Sequence, residues 1–332
     1  MRVGIVGGCL WWTSAAANLH GRAVWQPESF LADDRLIVDV DGDYHVGELG
    51  GVEGHVDRNT LPVVIMHGMG DAAQNPGMQR LRKAVATRLG GYATNVQIGA
   101  SQAEDTSNGF FMNLDKQVDY FARVVAADEH LRHGFNALGF SQGNLVVRGY
   151  IERYNSPPVK SFVSIHGPLA GVAGLPHCRP INFICKKISD LISAAAYADS
   201  VQDNVAQANY FRDPTRISEY KVHARFLPDI NNEHGSKNAT FKANFANLEQ
   251  LVLVRAAQDS MVYPRESEWF GAYEDGAFDK VLLMNETKWY QDDSFGLKTL
   301  NEAGKITLKE TAGDHLRIPT ETLLSWIEQY FV

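Results

Sequence analysis

The stretch Gly-Phe-Ser-Gln-Gly at 139–143, with the patterns on either side of it, restricts most strongly how this chain can fold. The apolar run at 135–140 is typical of a buried strand, and residues 144–154 have the spacing of a helix. A serine in the sharp turn between them needs small residues two positions before and after it, because larger side chains would clash. Gly139 and Gly143 meet that need, so the pattern predicts a turn that exposes the Ser141 hydroxyl at a helix N-terminus. The alternative is a glycine-rich connection without chemistry.

Strands and helices alternate along most of the chain from residue 61 onward. We predict strands at 61–66, 95–99, 135–140, 159–165, 248–256, 280–284 and 305–310. A helix is predicted from Met78 to Leu89, a long amphipathic one runs through Val118 to Leu131 and ends at Gly134, and the last spans 320–331. Such alternation predicts a mainly parallel sheet with helices on both faces, the α/β-hydrolase fold. The alternation lapses between about 168 and 248, which indicates an inserted helical region.

The chain divides into three segments by composition. Residues 1–20 combine Arg2, an apolar stretch and small residues, the three parts of a secretory signal peptide. A first strand or a dinucleotide-binding loop are the alternatives, although the glycines do not follow the spacing of such a loop. Residues 21–60 hold nine acidic and three basic residues, and an acidic solvated segment explains them better than a calcium loop. Residues 61–332 form the predicted hydrolase domain with its insertion.

Overall composition excludes some classes of function. The 332 residues carry a formal charge of −8, whereas nucleic-acid-binding proteins usually present a basic patch. No run of 18 or more apolar residues follows the N-terminal stretch, so we expect no membrane-spanning helix.

A serine needs a base to take its proton and an acid to orient that base. In the predicted fold the acid follows the serine along the chain and the histidine follows the acid. His315 is the late histidine that follows a clear strand, and it lies in a short polar turn. Asp259, directly after the strand at 248–256, is the favoured acid over Asp292, Asp293 and Asp314.

Two backbone N–H groups are the candidates for stabilising an oxyanion. In this fold one comes from the residue after the nucleophile and one from the loop after an earlier strand. Those residues are Gln142 and Met69, whereas the side chain of His67 is predicted to be structural.

Three cysteines and two N-glycosylation sequons bear on whether the protein enters the secretory pathway. If Cys9 leaves with a signal peptide, Cys178 and Cys185 remain as a pair that a secreted chain would join in a disulfide. A cytosolic chain would keep two thiols, and a zinc site would lack two ligands. Asn238 and Asn285 begin Asn-x-Thr sequons, which chance alone could supply.

From about residue 61 to the C-terminus the chain resembles the palmitoyl-protein thioesterases, and in particular their lysosomal type 1 enzymes. The stretches that carry the resemblance are His-Gly-Met-Gly-Asp at 67–71, residues 139–143, Gly-Leu-Pro at 174–176 with Cys178, Tyr210 with Asp213 and Pro214, Phe226 and Leu227 with Asp-Ile-Asn at 229–231 and Glu233, Asp259 and Ser260 with Ser-Glu-Trp-Phe-Gly at 267–271, and Gly-Asp-His-Leu at 313–316.

The resemblance implies a serine hydrolase that removes long-chain fatty acyl groups from the cysteines of proteins. It implies Ser141, Asp259 and His315 as the triad, Met69 and Gln142 as the oxyanion donors, and a disulfide between Cys178 and Cys185. It further implies that the insertion forms the wall of a hydrophobic groove that binds the acyl chain. The expected partners are S-acylated proteins or peptides, with acyl-CoA as a further candidate, in the lysosome or outside the cell. The mechanism requires no metal or organic cofactor.

The sequence also departs from the family at some positions. Type 1 enzymes carry Gly-Gly-Gln-His-Gln-Gly where this chain has His-Gly-Pro-Leu-Ala-Gly at 166–171, and Ala72 and Ala73 replace family cysteines. Residues 293–300 are closer to the type 2 relatives. The preferred acyl-chain length and the preferred leaving group therefore stay open. The alternatives are a lipase or carboxylesterase of the same fold and an inactive lipid-binding protein, which the intact triad disfavours.

Overall fold

The computed structural model describes residues 60–174, 190–192 and 194–332. The predicted signal peptide at 1–20, the acidic segment up to residue 59, and Cys178 with Cys185 lie outside the described residues and stay predictions.

The sheet follows from the buried apolar runs of the sequence. Its strands are β1 (Val63–Met66), β2 (Ala93–Asn95), β3 (Phe135–Phe140), β4 (Val159–Ile165), β5 (Gln250–Ala256) and β8 (Ile306–Thr311). They pair in the order β2-β1-β3-β4-β5-β8, and each pairing is parallel. A separate antiparallel pair consists of β6 (Ala272–Tyr273) and β7 (Val281–Leu282). The predicted mainly parallel sheet is confirmed.

Helices cover both faces of the sheet. Those outside the insertion are α1 (Pro76–Leu89), α2 (Gln102–Phe111), α3 (Leu114–Ala127), α4 (Gly143–Arg153), α9 (Lys288–Gln291), α10 (Leu297–Glu302) and α11 (Thr320–Phe331). Alternate side chains of a strand point to opposite faces. Accordingly Val63 and Ile65 pack in one apolar cluster with α1 and α11, while Val64 and Met66 pack in another with α3 and α4. This layering confirms the predicted α/β-hydrolase fold.

The insertion lies between β4 and β5. Its described part contains the helices α5 (Asp199–Asn204), α6 (Ile217–His223), α7 (Leu227–Ile230) and α8 (Ala239–Ala246). Many of its apolar side chains, among them Tyr220, Phe226 and Phe245, join the core cluster of α3 and α4. No helix in the described part of the chain combines the length and apolarity needed to cross a membrane.

Three predicted elements were misplaced. The strand predicted at 95–99 is β2 at 93–95, because the backbone turns away after Asn95 and the Ile98 N–H donates to the carboxylate of Asp105. The long helix predicted to end at Gly134 stops at Ala127. Asp128 accepts a hydrogen bond from the His130 N–H and starts a separate short turn, which still buries Leu131.

The strand predicted at 280–284 does not join the main sheet. Only Val281 and Leu282 are extended there, and they pair antiparallel with Ala272 and Tyr273. The two strands are short, and their hairpin leaves β8 directly beside β5. The apolar run is therefore a local hairpin rather than a parallel strand.

Candidate active site

The turn between β3 and α4 holds Ser141 in a left-handed conformation, with φ of 49°. Its N–H donates to the Ile165 carbonyl at 3.0 Å, which fixes the turn against β4. A Cβ on Gly143 would overlap the carbonyl oxygens of Met66 and His67, and one on Gly139 would overlap the Asn144 side chain. The glycines are therefore required by close backbone approach, as the sequence pattern predicts.

The structure brings Ser141, His315 and Asp259 together. Asp259 follows β5 and His315 follows β8, two strands that are neighbours in the sheet, so their carboxyl ends meet at one edge. His315 Nε2 lies 2.9 Å from Ser141 Oγ, and His315 Nδ1 lies 2.6 Å from Asp259 Oδ2. This chain of hydrogen bonds has the geometry of a nucleophile, a general base and an orienting acid.

The Asp259 carboxylate is well satisfied. Its Oδ1 accepts the N–H groups of Met261 and Val262, each at 2.7 Å. Burial by itself raises the pKa of Asp259, but the hydrogen bond and charge of His315 outweigh it, and the pKa lies well below the usual range. Asp259 is therefore ionised throughout the pH range in which His315 can act as a general base.

Two of the three other candidate acids are engaged elsewhere. Asp314 accepts hydrogen bonds from the N–H and the hydroxyl of Ser260 and from the backbone N–H of His315. Asp293 pairs with Lys242 at 2.7 Å and also accepts from Thr299. Asp314 thus fixes the loop through the backbone of His315 rather than through the His315 ring.

The predicted oxyanion donors flank Ser141. Gln142 is the N-cap of α4, where backbone N–H groups lack helical acceptors. Among the described residues neither the Gln142 N–H nor the Met69 N–H has a hydrogen-bond acceptor. Gly68 lies directly against the nucleophile, since a Cβ there would be 3.0 Å from the Ser141 Cβ. The loop that carries Met69 therefore lies beside the nucleophile, and the oxyanion role of the Met69 and Gln142 N–H groups stays a prediction.

A buried ion pair supports that loop. His67 Nε2 donates to Asp105 Oδ1 at 3.0 Å and Nδ1 donates to the Gly68 carbonyl at 2.9 Å. Both ring nitrogens act as donors, so the ring is an imidazolium. Burial by itself lowers the pKa of His67, but the hydrogen bond and charge of Asp105 raise it above its ordinary value. The predicted structural role of His67 agrees with these contacts.

Sequence reasoning missed the contacts of His166 and Glu268 with the triad. Nδ1 of His166 accepts the Leu316 N–H at 2.8 Å, directly after His315, and Nε2 donates to Thr311 Oγ1 at 2.9 Å. Glu268 accepts the Ala256 N–H at 2.7 Å, and burial together with the neighbouring Asp259 carboxylate raises its pKa well above the usual range. A histidine directly after a parallel strand and a glutamate within an otherwise apolar motif were the available signals.

The insertion supplies a further set of polar contacts that the sequence did not predict. Gln142 Nε2 donates to the Gly109 carbonyl at 2.8 Å, and Gln142 Oε1 accepts from Tyr210 and Gln207, each at 3.1 Å. Gln207 Nε2 is also 2.7 Å from Met69 Sδ. Tyr210 belongs to the resemblance, whereas nothing in the sequence singled out Gln207.

In the part of the chain that the structure describes, one group of side chains has the spacing of metal ligands. Ligand atoms of His166, Asp259 and His315 lie within 4.8 Å of one another. Both ring nitrogens of each histidine already make hydrogen bonds, to Leu316, Thr311, Asp259 and Ser141. A metal would have to replace those bonds, so the group fits a hydrogen-bonded triad better than a metal centre.

Both predicted glycosylation sites fall on exposed asparagines. Asn238 caps α8 by accepting the Thr240 N–H, and Asn285 lies in a short turn before α9. Their modification stays a prediction.

Comparison with known proteins agrees with this geometry. A sequence profile described as palmitoyl protein thioesterase matches residues 62–315. Palmitoyl-protein thioesterase 1 of Caenorhabditis elegans is 42% identical over 275 residues, which cover 82% of this chain and 92% of that protein. Palmitoyl-protein thioesterase 3 of Dictyostelium discoideum is 35% identical, over 79% of this chain and 87% of that one. Lysosomal thioesterase PPT2 of Mus musculus is 30% identical, over 76% and 80%. The chain belongs to the palmitoyl protein thioesterase family.

Proposed function

We propose that this protein hydrolyses thioesters between long-chain fatty acids and protein cysteines, with Ser141 as nucleophile. The observation that carries the proposal is the His315 imidazole, which bridges Ser141 and Asp259 in a chain of this family. The names of its relatives support the thioester as substrate, while the triad geometry supports serine hydrolysis of an acyl group.

The first half of the reaction forms an acyl-enzyme. His315 Nε2 takes the Ser141 proton as Oγ bonds to the acyl carbonyl carbon, and Asp259 stabilises the imidazolium that results. The carbonyl electrons move to oxygen, and the N–H groups of Met69 and Gln142 stabilise that oxyanion. When the carbonyl re-forms, the carbon–sulfur bond breaks and the sulfur takes the proton from His315. The deacylated protein leaves with a free thiol.

The second half restores the enzyme. His315 Nε2 takes a proton from water as the water oxygen attacks the acyl ester on Ser141. The tetrahedral intermediate collapses, its carbon–oxygen bond to Ser141 breaks, and Oγ recovers its proton from the imidazolium. The fatty acid leaves. Each step uses the same two oxyanion donors, and no metal ion takes part.

We propose a lysosomal location. Support comes from the relatives named lysosomal thioesterase, including the mouse protein and a homologue from Drosophila melanogaster. The predicted signal peptide at 1–20 and disulfide between Cys178 and Cys185 are the expected companions of that location. Expression of the full chain in animal cells, followed by organelle fractionation and glycosidase treatment, tests it. Recovery in the cytosol without glycan would contradict it.

Purified protein and its Ser141→Ala variant test the proposed chemistry. Each is given a palmitoylated cysteine peptide, palmitoyl-CoA and a matched oxygen ester of the same acyl length. We expect the wild type to release free thiol from the peptide, and the variant to be slower by at least about 10³-fold. A strong preference for the oxygen ester would favour a lipase, and equal turnover by the variant would remove Ser141 as the nucleophile.

A further inference from the structure

We infer that Gln207, from the inserted region between β4 and β5, is a positioning residue that holds the two oxyanion donors, Met69 and Gln142, at their working separation. The inference rests on the proposed function, because it concerns the same oxyanion site. The two donors lie on different loops, after β1 and after β3, which touch where Gly68 packs against Ser141, and Gln207 adds a contact to the side chains of both donor residues.

The Gln207 amide nitrogen lies among three acceptors. It is 2.7 Å from Met69 Sδ, 3.1 Å from Gln142 Oε1 and 3.2 Å from the Gly109 carbonyl oxygen. Thus one side-chain amide contacts the side chains of both donor residues. Gln142 in turn donates to the same Gly109 carbonyl, which closes a small network around the oxyanion site.

These contacts leave no freedom in the orientation of the Gln207 amide. All three neighbours of its nitrogen accept hydrogen bonds, so a flipped amide would place its oxygen against three acceptors. The orientation present leaves Gln207 Oε1 buried without a partner among the described residues. An unpaired buried oxygen destabilises the fold. A residue selected for stability alone would avoid this arrangement, whereas a residue that must donate to Met69 and Gln142 requires it.

Close packing makes the oxyanion site sensitive to this amide. A Cβ on Gly109 would lie 3.1 Å from the Gly70 nitrogen, so α2 presses on the loop that carries Met69 from one side. Gln207 holds the Met69 side chain from the insertion. Without it, the Met69 side chain loses a polar anchor and its N–H can turn away from the oxyanion. A donor N–H that points away from the oxyanion raises the free energy of the transition state and leaves substrate binding in the ground state nearly unchanged.

Gln202 offers a matched control in the same region. It is fully buried, donates to the carbonyls of Ala196 and Ala208 at 2.8 Å each, and accepts the Arg225 N–H at 3.1 Å. It contacts neither Met69 nor Gln142. Gln202→Leu therefore removes at least as many hydrogen bonds as Gln207→Leu, and we expect it to lower stability without lowering kcat of the folded enzyme.

The experiment compares Gln207→Leu, Gln207→Glu and Gln202→Leu with the wild type. It uses whichever acyl ester the wild type hydrolyses and the Ser141→Ala variant does not. A long-chain trifluoromethyl ketone adds reversibly to Ser141 and places an alkoxide on the oxyanion donors. We expect Gln207→Leu to lower kcat and to weaken ketone binding about tenfold each, with KM within threefold. Gln207→Glu, whose protonated form donates one hydrogen bond, should recover part of its kcat relative to the wild type at the same pH as pH falls.

The outcomes separate the inference from the proposed function. A fall in stability of Gln207→Leu with kcat and ketone affinity unchanged would overturn the positioning role. The same would follow if Gln202→Leu lowered kcat and ketone affinity equally, because the effect would then belong to the whole insertion. If the wild type cleaves oxygen esters rather than thioesters, the proposed substrate fails and the Gln207 comparison still stands. The ketone needs no turnover, so it reports on the oxyanion site under any substrate.

Discussion

The imidazole rings of His166 and His315 lie 5.9 Å apart, centroid to centroid, and the second depends on the first for its backbone. His166 Nδ1 accepts the Leu316 N–H, so it anchors the residue after the general base. Burial, followed by the nearby His315, lowers the pKa of His166 to about 3. The ring therefore stays a neutral acceptor at lysosomal and neutral pH alike.

We predict that His166→Asn retains most activity and that His166→Ala loses it. Asn places an oxygen at the position of Nδ1 and tolerates the φ of 47° at this residue, whereas Ala leaves the Leu316 N–H without its acceptor. The loss should lower kcat about tenfold and stability by about 1–3 kcal/mol. Steady-state kinetics and urea unfolding measure both quantities. Equal activity of the two variants would show that the anchor does not matter.

The same pair of variants has a signature in pH. Because the folded pKa of His166 lies below the ordinary 6.5, the unfolded state binds more protons and wild-type stability falls as pH drops from 6.5 toward 3. Both variants lack this group, so their free energies of unfolding should fall less than that of the wild type between pH 7.5 and 4.5. If the free energies of unfolding of all three proteins fell equally with pH, His166 would not be a neutral imidazole in the folded wild type.

Gly143→Ala should destroy the turn that presents Ser141. The added Cβ would overlap the backbone carbonyls of Met66 and His67, which belong to β1 and its loop and cannot move aside as a side chain could. We expect a loss of about 3 kcal/mol or more and no detectable turnover. Gly235→Ala is the matched control, since nothing lies within 4 Å of a Cβ there. Thermal unfolding and esterase assays of both variants give the comparison, and an active Gly143→Ala enzyme would contradict the packing.

The triad could be predicted from sequence because its members depend on local signals. A parallel strand precedes each of Ser141, Asp259 and His315, with β3 and β5 buried and β8 partly exposed, and such strands bring their carboxyl ends to one edge of the sheet. The apolar runs of the strands specify that edge without knowledge of any long-range contact. Chain order in this fold then assigns the roles.

The residues that support the triad could not be predicted, because their partners are distant in sequence. Gln207 reaches Gln142 across 65 positions, and His166 reaches Leu316 across 150. These contacts depend on how the insertion and the last loop fold back over the sheet, which no periodicity encodes. The predicted end of one helix was wrong for the opposite reason. At Asp128 a local side-chain hydrogen bond ended a helix whose apolar stripe continued to Leu131.

Arg148→Lys should loosen the insertion. The buried guanidinium donates to Glu152, to the carbonyls of Leu169 and Ile230 and to Asn231, and it packs against two phenylalanine rings. A lysine ammonium cannot make this number of bonds or stack. We expect a loss of about 3–5 kcal/mol. Arg132→Lys, at an exposed pair with Glu129, should change stability by less than about 0.5 kcal/mol. Chemical denaturation of both variants would show whether the two losses differ as expected.

The His67–Asp105 pair should stabilise the protein more at acid pH than at alkaline pH. The folded pKa of His67 is raised above 6.5, so its contribution is complete below 6.5 and is lost as pH rises through the folded pKa. Asp105→Asn removes the charge that holds the imidazolium. We expect it to cost about 3 kcal/mol at pH 5 and less at pH 9. Urea unfolding at the two pH values measures the difference, and a penalty that grows with pH would disprove the imidazolium.

Glu268 should set the acid limb of the pH profile. Burial raises its pKa well above the usual range, and the Asp259 carboxylate adds to the shift, while Arg255 opposes it. One Glu268 oxygen accepts the Ala256 N–H, and the other is buried without a hydrogen-bond partner among the described residues. We predict that the proton of a neutral Glu268 is directed at Asp259, where it would help to keep the pKa of that carboxylate low.

Replacing Glu268 by Met removes this donor and should raise the pH at which the Asp259–His315 pair takes up its first proton. A carboxylate that loses a hydrogen bond becomes more basic and stabilises the imidazolium more strongly, whichever residue takes the proton. A hydrogen bond to a charged group contributes about 1.5 kcal/mol, so the acid limb of kcat/KM should move up by about one pH unit. Glu268→Gln keeps a donor for Asp259 and an acceptor for Ala256, and its profile should match the wild type. If Gln and Met shift the limb equally, the proton on Glu268 has no part in the triad.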